Sequence, residues 1–241
     1  MRTSFAILLA LGLAPGVAAA ADATPPSLTA ASAAWLRDTA RPLGSRSTLA
    51  IVLTGAALGA ACTSFEDADA SARALQRAPW DRLSDVGNAY GELPVITGTA
   101  VLLYAAGRWS GHGPLRDAGF DAMRALGVSG ATVGVLKVSV KRARPDGGRH
   151  SFPSGHSAAA FAMAPVITEH LGWCFGVPAY GLAVMTGMGR IEDRRHHLSD
   201  VVWGGTIGLA AGLAESRPRR GTSTSLGLLL NEDRIGCVLH F

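Results

Sequence analysis

Six apolar runs alternate with charged breaks along the chain: Leu49 to Cys62, Leu93 to Ala106, Ala118 to Lys137, Ser157 to His170, Val177 to Gly189 and Val201 to Leu213. Their length marks them as helices rather than strands. The expected fold class is therefore all-α, a six-helix bundle. The runs are rich in Gly and Ala rather than Leu and Phe, and small residues let helices pack closely in water or in lipid. Several uncharged stretches fall short of the roughly 20 residues needed to cross about 30 Å of hydrocarbon. The expectation is a bundle that touches a membrane surface, with a fully embedded one left open.

The chain has 241 residues, enough for one domain with tails. Residues 1–20 read as a secretory signal: Arg2, an apolar run from Phe5 to Leu13, and an alanine-rich end with Ala18 available for cleavage. The protein is accordingly expected outside the cytosol, in the periplasm. Residues 21–45 read as a linker with a short helix at Ala31 to Asp38, residues 46–215 as the helical domain and residues 216–241 as a tail. In the tail Leu226, Leu228 and Leu230, then Ile235, Cys237, Leu239 and Phe241, alternate across Asn231-Glu232-Asp233-Arg234. That pattern predicts a β-hairpin, placed as a cover on the bundle. Cys62, Cys174 and Cys237 have no metal-site spacing; one bridge among them is allowed, and the sequence does not choose it.

A net charge of +4 and a pI near 9.3 suit an anionic membrane surface, a phosphorylated substrate or nucleic acid. Nucleic acid is set aside, because few aromatic residues interleave with the basic ones.

Residues 149–161 read RHSFPSGHSAAAF. Ser154 is an N-cap residue type, Gly155 allows bare amides, and the alanines that follow continue a helix, which puts His156 in a first turn. Unpaired N–H groups and the positive dipole end of such a turn attract an anion, most often phosphate. Upstream, LKVSVKRARPDGG spaces Lys137, Lys141 and Arg144 at i, i+4 and i+7, on one face if the helix persists to Pro145. Downstream, MGRIEDRRHHLSDVVWGG places His196 and Asp200 at i, i+4. On a helix that spacing lets the carboxylate orient one imidazole nitrogen and leave the other as a nucleophile.

Lys137 with six residues to Arg144-Pro145, Pro153-Ser154-Gly155-His156, and Arg190 with five residues to His196 and three more to Asp200 resemble the three signature motifs of the type 2 phosphatidic-acid phosphatase and vanadium haloperoxidase superfamily. The resemblance spans residues 137–200, and the flanking apolar runs resemble that family's bundle. It implies that Lys137, Arg144 and Arg190 bind phosphate oxygens, with Ser154 and the Gly155 amide completing the cradle. It implies further that His196 attacks phosphorus to form a phosphohistidine, that Asp200 holds its ring, and that His156 protonates the leaving oxygen. The family often has serine just before the third-motif arginine; here that residue is Gly189, and a hydroxyl near the phosphate is lost. No cofactor and no metal are expected, since Lys and Arg supply the charge. Asp146, Glu192 and Asp193 match no metal loop and read as loop residues.

The expected function is a metal-independent phosphatase acting on a phosphomonoester or pyrophosphate of a lipid, of phosphatidic acid or polyprenyl pyrophosphate type. A lipid A phosphate or a soluble monoester presents the same group. A vanadium-dependent haloperoxidase uses the same kind of cradle for vanadate. A non-catalytic, membrane-associated phosphate-binding protein needs the arginines and amides, but not an oriented nucleophile opposite an acid.

Overall fold

The computed structural model describes residues 45–216 and the backbone of residues 225–231 and 234–240. The expected signal segment and the linker with its short helix lie outside the described residues. Eight helices form among them: α1 Arg46–Phe65, α2 Ala68–Leu75, α3 Trp80–Gly91, α4 Leu93–Ser110, α5 Gly113–Val140, α6 Gly155–Leu171, α7 Trp173–Glu192 and α8 Leu198–Glu215. The expected count of six is too low. The two additional helices, α2 and α3, carry ADASARAL and WDRLSDVGNAYG, in which apolar residues stand singly among charged ones. Local chemistry starts α2: Asp67 Oδ1 accepts the amides of Asp69 and Ala70, both at 2.9 Å. Two strands, β1 Ser225–Asn231 and β2 Arg234–His240, pair antiparallel with Asn231 opposite Arg234. Their side chains lie outside the described residues, and so does the expected cover on the bundle.

The four long helices α5 to α8 run up and down. Gly155 at the start of α6 lies beside Val133 and Lys137 near the end of α5, while His170 near the end of α6 meets Asp121 early in α5 at 2.9 Å. Alanine and glycine make the tight packing possible. A Cβ at Gly204, Gly208 or Gly212 on α8 would overlap the backbone oxygen of Ser154, Ala158 or Ala162 on α6, so a four-residue glycine stripe brings the two backbones into contact. Few large side chains fill the interior; Ile96, Met163 and Val166 are the largest apolar ones fully buried. This geometry gathers the end of α5, the start of α6, the end of α7 and the start of α8 at one pole. The opposite pole is tied by His170 with Asp121 and by Arg124 with Glu215, 2.6 Å apart.

α5 extends beyond the run read from the sequence at both ends. It is long and apolar enough to cross a membrane, and the bent pairs α1–α2 and α3–α4 bring the number of such spans to as many as three among the described residues. Its C-terminal end also corrects the expected basic face. Lys141 takes a left-handed conformation, φ 51°, and its amide returns to the Lys137 carbonyl at 3.2 Å. The helix therefore stops before Arg144, which reaches the site from the following loop.

Candidate active site

Ser154 caps α6 as expected: its hydroxyl accepts the Ser157 amide at 3.4 Å and the Ser157 hydroxyl at 2.9 Å. Its own amide donates to the Asp200 carbonyl at 2.9 Å, which fixes the start of α6 against the start of α8. Ser154 is fully buried, so its hydroxyl serves the helix, and the first-turn amides of Gly155 and His156 remain for an anion. Lys137 lies over this turn, its Cε 4.0 Å from where a Gly155 Cβ would stand. Its ammonium donates to the His150 carbonyl at 2.7 Å, and the His150 ring nitrogen Nδ1 meets the Lys137 carbonyl at 2.9 Å. These two contacts close the loop between α5 and α6.

Arg144 is held through its backbone, its amide donating to the Gly148 carbonyl at 2.9 Å and its carbonyl accepting the Gly147 amide at 3.0 Å. Its side-chain Nε is buried without a hydrogen-bond partner. Asp146, expected in a loop, accepts the Gly148 amide at 2.8 Å and pairs with Arg195 at 3.3 Å. Arg190, on the last turn of α7, is buried. Its guanidinium donates to Asn88 Oδ1 through both Nε and Nη2, the Nε bond at 3.1 Å, and Nη2 also meets Asp193 Oδ2 at 3.1 Å.

His196 and Asp200 are near one another but not on one helix. α8 begins at Leu198 with His197 as N-cap, so His196 stands in the preceding loop, its amide bonded to the Arg190 carbonyl at 3.2 Å. Asp200 forms a capping box, accepting the His197 amide at 2.9 Å. The same carboxylate accepts from the Ser151 hydroxyl and, at 2.8 Å, from Arg142 Nη1. With those positions occupied, His196 Nδ1 is 4.0 Å from Asp200 Oδ2. This separation exceeds a hydrogen bond, and Nδ1 is buried without a partner. The direct hydrogen bond expected from the i, i+4 spacing is thus replaced by proximity.

Burial lowers both imidazoles. His196 is held down to about 3 by desolvation and by the positive charges of Lys137 and Arg144. His156 is held down to about 4 by desolvation, then by Arg190, Lys137 and Arg144, with Glu92 acting in the opposite sense. The two histidines therefore share the positive field of Lys137 and Arg144, to which Arg190 adds at His156. A bound dianion would relieve it and restore basicity to both rings.

Four residues of the site were missed in the sequence. Arg142 bridges Asp200, the Ser199 hydroxyl at 2.7 Å, and Glu66. Glu66 also accepts the Ser199 amide at 3.1 Å. Ser151 and Asn88 complete the set. Arg142 and Ser151 stand inside the stretches already singled out, where their neighbours drew the attention. Glu66 and Asn88 lie 76 and 102 residues from the partners they hold, and no local pattern marks either. No group of three His, Cys, Asp or Glu able to hold a metal occurs among the described residues.

Residues 146–219 match the model of the PAP2 superfamily. The match takes in the second and third signature clusters and ends before β1. The chain is 41% identical over 95 residues to the lipid A 1-phosphatase of Porphyromonas gingivalis, covering 36% of this chain and 21% of that protein. It is 29% identical over 137 residues to the lipid A 4′-phosphatase of Helicobacter pylori, covering 52% of this chain and 65% of that one. The chain thus spans less than two thirds of either relative. Among solved structures, a transmembrane PAP2-type phosphatidylglycerolphosphate phosphatase from Bacillus subtilis superposes with a TM-score of 0.57 at 24% identity, covering 70% of this chain and 93% of that one. The helical fold is of PAP2 type, and two of the three motifs, Pro153 to His156 and Arg190 to Asp200, fall within the residues that the PAP2 superfamily model matches.

Proposed function

We propose that this PAP2-superfamily chain is a phosphatase that removes a phosphate monoester from a membrane lipid through a phosphohistidine intermediate, without a metal ion. The observation that carries the reading is the gathering of Lys137, Arg144 and Arg190 around His156 and His196 at the pole where α6 and α8 begin, with Arg144 Nε lacking a protein partner. A site with surplus positive charge and an orphaned guanidinium donor is completed by a phosphate.

In the proposed reaction the three cations and the α6 amides hold the phosphoryl oxygens and meet the charge that builds on them. His196 attacks with Nε2, the nitrogen away from Asp200. The N–P bond forms as the bond from phosphorus to the lipid oxygen breaks, and His156 passes its proton to that oxygen. In the second half His156 takes a proton from water, the hydroxide attacks phosphorus, and the N–P bond breaks. Asp200, 4.0 Å from Nδ1, stabilises the positive ring of the intermediate by charge.

The two relatives are lipid A phosphatases by name, and this supports testing a lipid A-type phosphomonoester first among the candidate substrates, ahead of phosphatidic acid and polyprenyl pyrophosphate. Membrane residence is supported by α5 and by exposed apolar side chains on α4 and α5, among them Leu102, Trp109, Val135 and Val138. The test is phosphate release from lipid A, phosphatidic acid, polyprenyl pyrophosphate and a soluble aryl phosphate in mixed micelles, by wild type and His196→Ala. Release from lipid substrates by wild type alone is the expected result. Equal inactivity of both proteins on the whole panel would remove the proposal.

A further inference from the structure

Gly189 stands where the family often carries a serine, directly before Arg190, and α3 explains why no side chain fits. A Cβ at position 189 would overlap Asn88 Oδ1 and lie 2.8 Å from the backbone oxygen of Ser84. Asn88 occupies that space from a different helix. Its Oδ1 accepts from Nε and Nη2 of Arg190, and its Nδ2 donates to Asp193 Oδ2 at 3.2 Å, which fixes which way the amide faces. Arg190 Nε and Nη2 are thus taken on one edge of the guanidinium. Nη1 is left without a protein partner among the described residues.

We infer that Asn88 is a positioning residue for the phosphate site, holding Arg190 from α3 in the space that a side chain at 189 would need. An arginine can bind an anion through either edge of its fork, and holding one edge fixes where the other points. Being neutral, the amide adds its two bonds to this edge without adding to the charge compensation that Asp193 Oδ2 already makes at Nη2, 3.1 Å away. The burial of Arg190 makes the hold effective, since a buried guanidinium without an acceptor would turn to find one. Asn88 lies outside the segment matched by the family model, residues 146–219, so the part of the site it represents is supplied by a helix that the motifs do not contain.

The inference rests on the proposed phosphatase reading for its kinetic consequences, and on anion binding alone for its core. Asn88→Ala and the near-isosteric Asn88→Leu are compared with wild type for KM, kcat and orthovanadate affinity by calorimetry, with thermal unfolding to confirm folding. Loss of a hydrogen bond to a charged group predicts about tenfold weaker orthovanadate binding and about tenfold higher KM, with the smaller change in kcat. Gly189→Ser supplies an independent arm: by displacing the Asn88 amide it should impair binding in the wild-type background, and it should cause a smaller further loss in Asn88→Ala, where only the Ser84 carbonyl still crowds the new side chain. Unchanged KM and orthovanadate affinity in folded Asn88 variants would overturn the inference, as would a fall in kcat alone. Wild type that binds orthovanadate but hydrolyses nothing, with binding weakened in Asn88→Ala, would leave Asn88 in this role and remove only the phosphatase reading. Wild type that does neither would remove both.

Discussion

Arg142 Nη1 donates to Asp200 Oδ1 at 2.8 Å, closer than His196 Nδ1 comes to the same carboxylate. Asp200 is fully buried, and burying such a polar group is costly unless it is paired and hydrogen-bonded. Arg142 and the Ser151 hydroxyl meet that need, while Glu66 balances Arg142 in turn. Asp200 is thus paired and hydrogen-bonded by residues other than His196.

Arg142→Leu should therefore destabilise the fold by about 3 kcal/mol, as expected when one partner of a buried ion pair is removed, and should lower kcat. Denaturant unfolding and steady-state kinetics measure the two effects. Asp200→Asn should lower kcat with a smaller loss of stability, since the amide leaves Arg142 paired with Glu66. A larger stability loss in Asp200→Asn than in Arg142→Leu would contradict this assignment of charge support.

His196→Ala should abolish turnover, because the proposed reaction passes the phosphoryl group through its Nε2. His156→Ala should slow the reaction by about 100-fold or more for alkyl and lipid phosphates, within the range for a general acid, and much less for aryl phosphates with good leaving groups. Equal losses on both substrate types would show that His156 does not protonate the leaving oxygen.

The three motif clusters were legible because each is local. A cap at Ser154, a histidine in a first turn, and cations at short separations all leave a pattern within a few residues. The helices α2 and α3 were not legible, since their apolar residues are too sparse to form a run, and with them went Glu66, just before α2, and Asn88. Both are recognised only through partners far along the chain. The His196–Asp200 relation was half legible. The spacing correctly brought them near, but the helix start falls between them, and the capping duty of Asp200 takes an oxygen that the spacing alone had assigned to the imidazole.

Acid should destabilise the protein before its carboxylates titrate. His156 and His196 are depressed in the fold to about 4 and about 3, below the roughly 6.5 of an unfolded histidine. Between those values the unfolded chain binds protons that the folded one refuses. Their stabilising contribution is full above about pH 6.5 and is lost as pH falls towards the folded values. Thermal unfolding between about pH 7 and about pH 5 should show a falling Tm, with a shallower slope in His196→Asn and in the presence of orthovanadate, which raises both rings. A flat profile over that interval would contradict the depressed values.

Activity should survive dialysis against EDTA, because Lys137, Arg144 and Arg190 already meet the charge on the phosphoryl oxygens. Conversely, salt should weaken binding of soluble substrates modestly, since these groups are largely buried and poorly screened. Restoration of a lost activity by added magnesium or zinc would show that the cations of the protein are not sufficient.

Detergent, rather than salt or alkaline carbonate, should be needed to release the protein from membranes. Attachment through a basic rim alone would weaken within a Debye length as salt rises. The exposed side chains argue for a stronger contact: Leu102 is 70% exposed and Trp109 87% on α4, and Val135 is 66% exposed on α5. Apolar area of that kind on several helices is costly in water and is covered by hydrocarbon at no such cost. The 28 residues of α5 exceed the roughly 20 that a span requires, and Lys137 near its C-terminal end then lies near the membrane surface, where a lipid phosphate would meet it. Fractionation followed by successive salt, carbonate and detergent extraction measures the difference. Release by salt or carbonate would return the bundle to a peripheral position and assign its exposed apolar faces to another partner.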